Sequence, residues 1–335
     1  MTRRARQRGG ASYWAARALW RELAGFRFWY EAVNVPNAEL PGALRYHIDS
    51  PRLFNDVMRL DSTGVPYQVS RTFTSYNPAY VAWYGLQQLQ DAELRRSPRG
   101  RDRFRTQVAW LREHAVRRPD GAVVWQYDFD WREGGSVLRA GWISGMAQGL
   151  AMSALVRANR LEPDATLVEL ALAASRPFEL SVTEGGVCSE GKGGAVFEEY
   201  PALPPPRVLD GTLFAMLGLF DVACETSNAR VRALFADGMD GLESELPYWD
   251  FRGKWSWYGR RLYLSPTHYH GINRALLLAL ARASGRAPCA ALADQWNPSR
   301  LNAFDRVEVY LSFLATKQRS RLHSLLHAWR ARPRV

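Results

Sequence analysis

Three short stretches of the sequence place tyrosines beside ionisable side chains. They read FEEYP at residues 197–201, WSWYGRRLY at 255–263 and THYHGIN at 267–273. A phenol has an ordinary pKa of about 10, so it acts as a base only where a neighbouring cation stabilises the phenolate. Arg260 or Arg261, which follow Tyr258, would supply that cation. Such a set suits the abstraction of a proton from carbon.

Each stretch alone also has an ordinary structural explanation. An Arg/Tyr hairpin is usually a solvated surface strand, and a Tyr-His pair at the start of a helix usually packs against its neighbours. No spacing of His, Cys, Asp or Glu fits a metal site, so we expect no metal and no cofactor. Cys188, Cys224 and Cys289 lack C-x-x-C spacing and fit reduced thiols. The combination of the three stretches in one chain favours catalysis.

The elements around these stretches are predicted to be mainly α-helical. Apolar residues recur with helical periodicity in eight blocks, and several blocks begin with good caps, such as Asn77 before Pro78, Asp164, and Asn297 before Pro298. Short connections between the blocks favour antiparallel helix pairs that close into an α/α toroid, an incomplete (α/α)6-type barrel. Short β-hairpins between the helices are expected to carry the active site.

One predicted extended segment has an almost entirely aromatic face. In VVWQYDFDW, residues 123–131, Trp125, Tyr127, Phe129 and Trp131 alternate with polar residues, which is the period of a strand. Flat rings in this arrangement suit either core packing or a wall on which sugar rings stack. Both interpretations stay open from the sequence.

Gly141, Gly145 and Gly149 follow one another at intervals of four residues. Interior glycines cost a helix about 1 kcal/mol each relative to Ala, so a compensating contact is needed. The spacing therefore predicts that a helix carries these glycines and packs closely against another element.

The net charge of +11 is located at the two ends of the chain. The first 30 residues carry seven Arg and one Glu, and residues 317–335 carry six Lys or Arg and no acid. The body is therefore close to neutral, and no Gly-rich phosphate loop or nucleic-acid module is visible, so we expect no nucleic-acid partner. The basic ends leave contact with an anionic polymer or an anionic membrane surface open, and a homodimer is left open as well.

The sequence divides into three predicted regions. Residues 1–65 form a basic amphipathic arm with short extended segments, residues 66–316 form the catalytic domain, and residues 317–335 form a basic tail. No apolar stretch approaches the roughly 20 residues of a membrane span, and the start lacks the apolar core of a secretion signal. We expect no transmembrane segment and a cytoplasmic location, with contact at the inner membrane face left open.

Further fragments occur in a specific order along the chain: NPAYVAWYGL, GWISGMAQGLAMSALVRA, GGV, FEEYP followed by VLDG and GLFD, LPYWDF, WSWYGRRL, YHGINRALLLAL and DQW. In that order and spacing they resemble the C-terminal catalytic domain of D-glucuronyl C5-epimerases over roughly residues 66–315. The resemblance implies an α/α-toroid fold and an isomerase that inverts C5 of glucuronate in a heparosan-type chain to give iduronate. The expected partner is thus an anionic, uronate-containing polysaccharide.

The resemblance also implies roles for individual residues. The family's Glu-Tyr-Pro motif matches Glu199 and Tyr200, the tyrosine and arginine of its Tyr-Asp-Leu-Arg motif match Tyr258 and Arg261, and its Tyr-His tyrosine matches Tyr269. The four matched residues Glu199, Tyr200, Tyr258 and Tyr269 are the expected catalytic residues. Glu199 or Tyr200 is expected on one face of the sugar and Tyr269 on the other.

Substrate binding is expected to involve a guanidinium. Removal of the C5 hydrogen, which is α to a carboxylate, creates a dianionic enolate whose charge must be stabilised. Arg261 is the expected carboxylate clamp because a guanidinium binds two oxygens at once and stays charged, and Arg260 is the fallback. His270, Trp257 and Glu198 are the other candidates for substrate binding.

The chain departs from the family pattern at three positions. Gly259 stands where the family usually has Asp, Asp210 where it has Asn, and Asn273 where it has a second His. A carboxylate at position 210 would repel an anionic substrate unless it were paired, so the preferred uronate or its sulfation is open. A uronate lyase that uses the same first step, and a non-catalytic protein that binds anionic polysaccharide, stay as alternatives.

Overall fold

The computed structural model describes residues 26, 35–36, 44–50, 59–70, 73–133, 136–260 and 262–330. The predicted amphipathic arm lies outside these residues except for residue 26 and the short segments at 35–36, 44–50 and 59–65. Arg261, the expected clamp, also lies outside them. The described part of the chain is mainly helical, as predicted, with small antiparallel sheets between the helices.

Nine α-helices lie in the described ranges. They are α1 (Pro78–Glu93), α2 (Gly100–Glu113), α3 (Gly145–Leu161), α4 (Ala165–Ala174), α5 (Leu209–Thr226), α6 (Ala229–Trp249), α7 (Thr267–Ser284), α8 (Ala287–Gln295) and α9 (Ala303–Arg330). The first eight form four successive pairs, in which each odd-numbered helix packs against the helix that follows it. Helices α1, α3, α5 and α7 also pack side by side in that order and form an inner row. Closure of this row into a toroid stays a prediction.

Short antiparallel strands connect the helices. The pairs are β1 (Val35–Pro36) with β2 (Ile48–Asp49), β6 (Val116–Arg117) with β7 (Val123–Val124), β8 (Trp131–Glu133) with β9 (Ser136–Leu138), and β10 (Cys188–Glu190) with β11 (Ala195–Phe197). Two sheets have three strands: β3 (Arg59–Leu60), β4 (Pro66–Val69) and β5 (Thr74–Tyr76), and β12 (Asp250–Phe251), β13 (Trp255–Tyr258) and β14 (Tyr263–Leu264). In the last sheet, Tyr258 lies opposite Tyr263.

Several helix boundaries follow from local side-chain chemistry. The Asn77 side chain accepts hydrogen bonds from the backbone N–H groups of Ala79 and Tyr80, so the predicted cap of α1 is confirmed. Asp164 caps α4 in the same way. Asn297 caps only a 3₁₀ turn, Pro298–Arg300, and α9 begins three residues later. The sequence did not predict α8, which is short and weakly amphipathic.

The close helix packing predicted from the glycine spacing is confirmed for two of the three glycines. An added Cβ at Gly145 would lie 2.6 Å from the carbonyl oxygen of Glu198, which follows β11. One at Gly149 would lie 2.5 Å from the carbonyl oxygen of Phe214 in α5, and one at Gly218 of α5 would lie 2.3 Å from the carbonyl oxygen of Gly149. Helices α3 and α5 thus touch backbone to backbone. Gly141 does not belong to this contact, because it lies in the turn before α3 with a φ of +96°.

One large core and one small cluster hold the elements together. The large core contains the inner faces of α1, α3, α5 and α7. The small cluster includes Phe26, Trp255, Val309 and Phe313, and it fixes α9 against the sheet of β13 and β14. Helix α9 continues through residue 317, where the sequence analysis placed the start of the tail.

A short strap, residues 44–50, crosses the inner helices. His47 Nε2 lies 2.9 Å from Asp221 Oδ1 of α5, and the same carboxylate pairs with the buried Arg157 of α3 at 2.5 Å. The Ser50 hydroxyl donates to Gln87 of α1 at 2.8 Å. The strap therefore joins three inner helices. No helix in the described part of the chain is long and apolar enough to cross a membrane.

Candidate active site

A cavity of about 230 Å³ lies at one end of the inner row of helices. Its walls include first-turn residues of α1 (Ala79 and Tyr80), α3 (Met146), α5 (Asp210) and α7 (Tyr269). Four helix N-termini therefore face one cavity. Each carries a partial positive charge, which favours an anionic ligand. Asn77 and Ser144 cap the backbone N–H groups of α1 and α3. Helices α5 and α7 have no side-chain cap hydrogen bond at this end.

The cavity contains all four residues expected to be catalytic: Glu199, Tyr200, Tyr258 and Tyr269. Glu199 and Tyr200 follow β11, Tyr258 ends β13, and Tyr269 lies in the first turn of α7. Residues separated by 70 positions in the sequence are thus brought together. Gly211 of α5 makes room for Glu199, because an added Cβ at Gly211 would lie 2.3 Å from the Glu199 Cβ.

One side of the cavity is an aromatic wall. The Tyr127 ring stacks on Trp142 at 3.9 Å between centroids and 10° between planes, and Phe129 meets both rings edge to face. Trp131 lies parallel to the Tyr200 ring at 6.0 Å. Tyr127 and Phe129 are buried, yet all five rings line the cavity. The two interpretations of the aromatic segment are therefore compatible, because the same rings pack in the core and form the wall.

A second group of aromatic rings surrounds Tyr258. Its ring stacks on Tyr263 at 4.9 Å and lies 5.5 Å from Tyr269. The Lys317 ammonium lies 3.3 Å from the centroid of Tyr263, on the side of the stack that α9 covers. Tyr258 and Tyr269 of this group line the same cavity as the aromatic wall.

Two carboxyls in the cavity favour their protonated forms. Burial raises the pKa of Glu199 well above its usual range, and the charge of Asp210 raises it further. Burial also raises the pKa of Asp210 to about 7, against hydrogen bonds from the backbone N–H groups of Asp210 and Gly211. One Asp210 carboxyl oxygen, Oδ1, is buried without a hydrogen-bond partner among the described residues. The nearby charge of Glu133 adds to the repulsion at both carboxyls.

The three phenols are also kept neutral. Burial is the main cause that raises the pKa of Tyr200, Tyr258 and Tyr269 well above the usual value, and neighbouring acids add to it. Of the described residues that line the cavity, none is Lys or Arg. The described groups therefore suit a phenol as a proton donor, and a phenolate base would need the charge of Arg261.

The other predicted substrate-binding residues lie away from the cavity wall. Glu198 is fully buried, where it accepts hydrogen bonds from the Ser189 hydroxyl at 2.6 Å and the Arg207 backbone N–H at 2.9 Å. His270 is also buried: its Nδ1 lies 2.9 Å from the Ser256 hydroxyl and its Nε2 lies 2.9 Å from the carbonyl oxygen of Trp296.

Trp257 packs edge to face on Phe251, in the small cluster. Arg260 is exposed, and its backbone N–H donates to the carbonyl oxygen of Pro206. Glu198, His270 and Trp257 thus support the elements that carry Tyr200, Tyr269 and Tyr258. Among the described residues, the structure does not bring these candidates to the cavity.

Several cavity residues were not predicted from the sequence. Tyr80 and Trp83 of α1 form part of the wall, and so does His268, which directly precedes Tyr269. A usable signal existed for Tyr80, because it lies in the first turn after the predicted Asn77 cap. No sequence signal showed that the N-terminus of α1 would face the same cavity as those of α5 and α7. Within the described ranges, no group of three His, Cys, Asp or Glu side chains is arranged to hold a metal ion.

Comparisons with known proteins identify a family for this chain. Residues 119–298 match the model of a family described as D-glucuronyl C5-epimerase C-terminus. A D-glucuronyl C5-epimerase from Caenorhabditis elegans is 31% identical over an alignment of 179 residues, which covers 48% of this chain and 29% of that protein. An uncharacterized protein from Methanocaldococcus jannaschii is 25% identical over an alignment of 205 residues, which covers 57% of this chain and 66% of that protein.

The chain spans less than a third of the length of the C. elegans relative. The family match covers more than half of the chain, from before the aromatic wall to beyond Tyr269. It therefore contains Glu199, Tyr200, Tyr258 and Tyr269. The chain belongs to the family of D-glucuronyl C5-epimerase C-terminal domains.

Proposed function

We propose that the protein is a polysaccharide C5-epimerase that converts D-glucuronate to L-iduronate within a heparosan-like chain. The observation that carries this proposal is the convergence of Glu199, Tyr200, Tyr258 and Tyr269 on one cavity. A cavity of this kind supplies proton-transfer groups from several elements around one sugar ring. The family membership and the name of the C. elegans relative support the same reaction.

Glu199 and Tyr269 come from different elements of the cavity wall, which suggests how the proton moves. Glu199 takes the C5 proton from one face in its ionised form, and its raised pKa makes that carboxylate a stronger base than an exposed one. Tyr269, whose pKa is also raised, is neutral and donates a proton to the opposite face. Tyr200 and Tyr258 hydrogen-bond the substrate oxygens near the reacting carbon. Loss of the C5–H bond and formation of a new C5–H bond from the other side invert the carbon.

Within the described residues, the negative charge of the enolate is stabilised mainly by helix N-termini, because no Lys or Arg of that part lines the cavity. Helices α5 and α7 begin at the cavity without a hydrogen bond from the side chain of their N-cap residue, and each N-terminus adds a partial positive charge there. Asp210 adds no negative charge while it is protonated. Arg261, adjacent to this sheet in the sequence, stays the proposed clamp for the substrate carboxylate, with Arg260 as the fallback.

The proposal is tested by incubating the protein with heparosan and with N-sulfated heparosan in D2O and recording proton NMR spectra. We expect deuterium at C5 of the uronate and new iduronate signals. A 4,5-unsaturated sugar end would instead assign a lyase. Binding of the polymer without exchange or cleavage would assign a non-catalytic polysaccharide-binding protein. If the polymer neither binds nor exchanges its C5 hydrogen, the choice of polymer is refuted.

A further inference from the structure

A second cavity adjoins the one that contains the catalytic residues. Its volume is about 450 Å³, and Tyr127 lines both cavities. The walls of the second cavity come from β5, the start of α1, the end of α2 and the segment 125–128. It thus begins on the outer side of the aromatic wall. A polymer chain whose uronate lies in the catalytic cavity extends beyond that cavity, and the second cavity is a neighbouring position because Tyr127 lines both.

The second cavity contains an aromatic platform at its surface. The Trp110 and His114 rings stack at 4.1 Å between centroids and 11° between planes, and the Tyr76 ring lies 5.6 Å from Trp110. Tyr76 is 37% exposed although it is a large aromatic residue. Trp110 packs with one part against the core, which fixes the platform in place. His114 is exposed, whereas Trp110 is half-buried with one face covered by His114. Flat rings at a surface bind the CH face of a pyranose and exclude water from it.

The charge around the platform selects among sugars. Glu113 and Asp128 are exposed acids in the cavity wall, and the Ser75 hydroxyl donates to the Asp128 carboxylate. Of the described residues that line this cavity, none is Lys or Arg. Carboxylates accept hydrogen bonds from sugar hydroxyls and amide N–H groups, whereas they repel a sulfate or a uronate. Gln126, also exposed, offers both a donor and acceptors.

We propose that the second cavity is a saccharide subsite that binds an uncharged, N-acetylated hexosamine unit of the polymer, next to the uronate in the catalytic cavity. This inference rests on the proposed function for the identity of the polymer. It adds a preference for the substituent on the hexosamine nitrogen, which the catalytic residues do not determine. A polymer with N-acetyl groups fits the subsite, whereas the negative charges of Glu113 and Asp128 repel one with N-sulfate groups.

The platform is tested by measuring the dissociation constant of a heparosan oligosaccharide by isothermal titration calorimetry for the wild-type protein, Trp110→Ala and His114→Ala. We expect about threefold to tenfold weaker binding for Trp110→Ala and a smaller loss for His114→Ala, because stacking on one ring is lost. Phe304→Ala is the matched control, because Phe304 is 86% exposed and lies on α9. Circular dichroism confirms that each variant is folded.

Unchanged binding in both folded platform variants would overturn the subsite, and so would an equal loss in the Phe304→Ala control. The readout is binding, so it does not depend on turnover. If the wild-type protein binds the oligosaccharide but shows no C5 exchange, the epimerase proposal fails while the subsite is still decided by the variants. If the wild-type protein does not bind any heparosan oligosaccharide, both proposals fail.

The charge preference is tested by comparing N-acetylated and N-sulfated oligosaccharides of equal length. We expect the wild-type protein to bind the N-acetylated form more tightly and Asp128→Asn to narrow the difference, because the amide keeps a carbonyl acceptor without the charge. Asp130→Asn is the control, because Asp130 is exposed two residues away and does not line the cavity. Tighter binding of the N-sulfated form by the wild-type protein would overturn the assignment to an uncharged unit.

Discussion

At the scale of single residues, the site combines hydroxyls and carboxyls whose protonated forms are favoured by burial. The sequence and the resemblance predicted Glu199, Tyr200, Tyr258 and Tyr269 together, and the structure brings them to one cavity. They were predictable because each belongs to a short motif. Glu198 was not distinguishable from Glu199 by type, because only the fold directs one carboxyl to Ser189 and Arg207 and the other to the cavity.

The phenol hydroxyls of Tyr200 and Tyr269 are expected to be required for catalysis but not for folding. Tyr200→Phe and Tyr269→Phe should each lower the rate of C5 exchange by about 10²-fold or more, because a positioned proton-transfer group contributes on that order. The rate is measured by NMR in D2O. Tyr310→Phe is the control, since Tyr310 packs by the small cluster away from the cavity. Full activity in both cavity variants would contradict the assigned roles.

Asp210 is expected to make the protein less stable as the pH rises. Its folded-state pKa of about 7 lies above the ordinary value of 3.8, so the native state holds the proton more tightly than the unfolded state. Stability is therefore lost as the pH rises from about 4 to 7. Asp210→Asn should remove this loss and raise the melting temperature at pH 8 more than at pH 5.

The matched control for Asp210 is Asp240→Asn, a change at an exposed carboxyl on α6. Both melting temperatures are read from thermal unfolding followed by circular dichroism. An Asp210→Asn variant whose gain is the same at pH 5 and pH 8 would show that burial does not hold a proton on this carboxyl.

At the scale of elements, the closest contact is that between α3 and α5. Gly218→Ala should destabilise the protein by about 1–3 kcal/mol or more, because the added Cβ would lie 2.3 Å from a backbone oxygen of α3. Gly271→Ala in α7 is the opposite case, since nothing lies within 4 Å of its added Cβ, and it should stabilise by up to about 1 kcal/mol. Urea denaturation measures both. Equal effects of the two changes would mean that the helices are not in backbone contact.

Much of the element pattern was predictable because helical periodicity and caps are local signals. The aromatic segment was harder: only Val123–Val124 and Trp131–Glu133 of it are strands, although its side chains alternate as predicted. The alternation arises because one face of this extended segment packs in the core and the other is exposed. An extended backbone alternates its side chains in this way even without strand-to-strand hydrogen bonds. Helix α3 begins at Gly145, so Gly141, which the glycine spacing had placed on the same helix, lies outside it.

At the scale of the whole molecule, the strap depends on a buried ion pair. Asp221→Ala should cost about 3–5 kcal/mol, because it leaves the Arg157 guanidinium, which is 2% exposed, without its carboxylate. The change also removes the partner of His47 in the strap. Asp240→Ala, which breaks an exposed pair with Arg286, should cost less than about 1 kcal/mol.

The same pair gives an acid limit to stability. Although burial acts to raise it, the charges of Arg157 and His47 hold the pKa of Asp221 well below its usual range. Its contribution is therefore present above the ordinary carboxyl pKa and is lost as the pH falls below it. Urea midpoints of wild type and Asp221→Ala should converge in acid. A constant difference between pH 7 and pH 3 would rule out this linkage.

The position of α1 in the cavity has a consequence for how members of the family differ. The residues from Gln68 to Trp83 that line the cavity precede the family match, which begins at residue 119, whereas Glu199, Tyr200, Tyr258 and Tyr269 lie inside it. The matched range therefore contains the four proposed catalytic residues but not the part of the cavity wall that α1 supplies. We expect an exchange of the first helix pair between relatives to transfer substrate preference while the inherited chemistry stays the same.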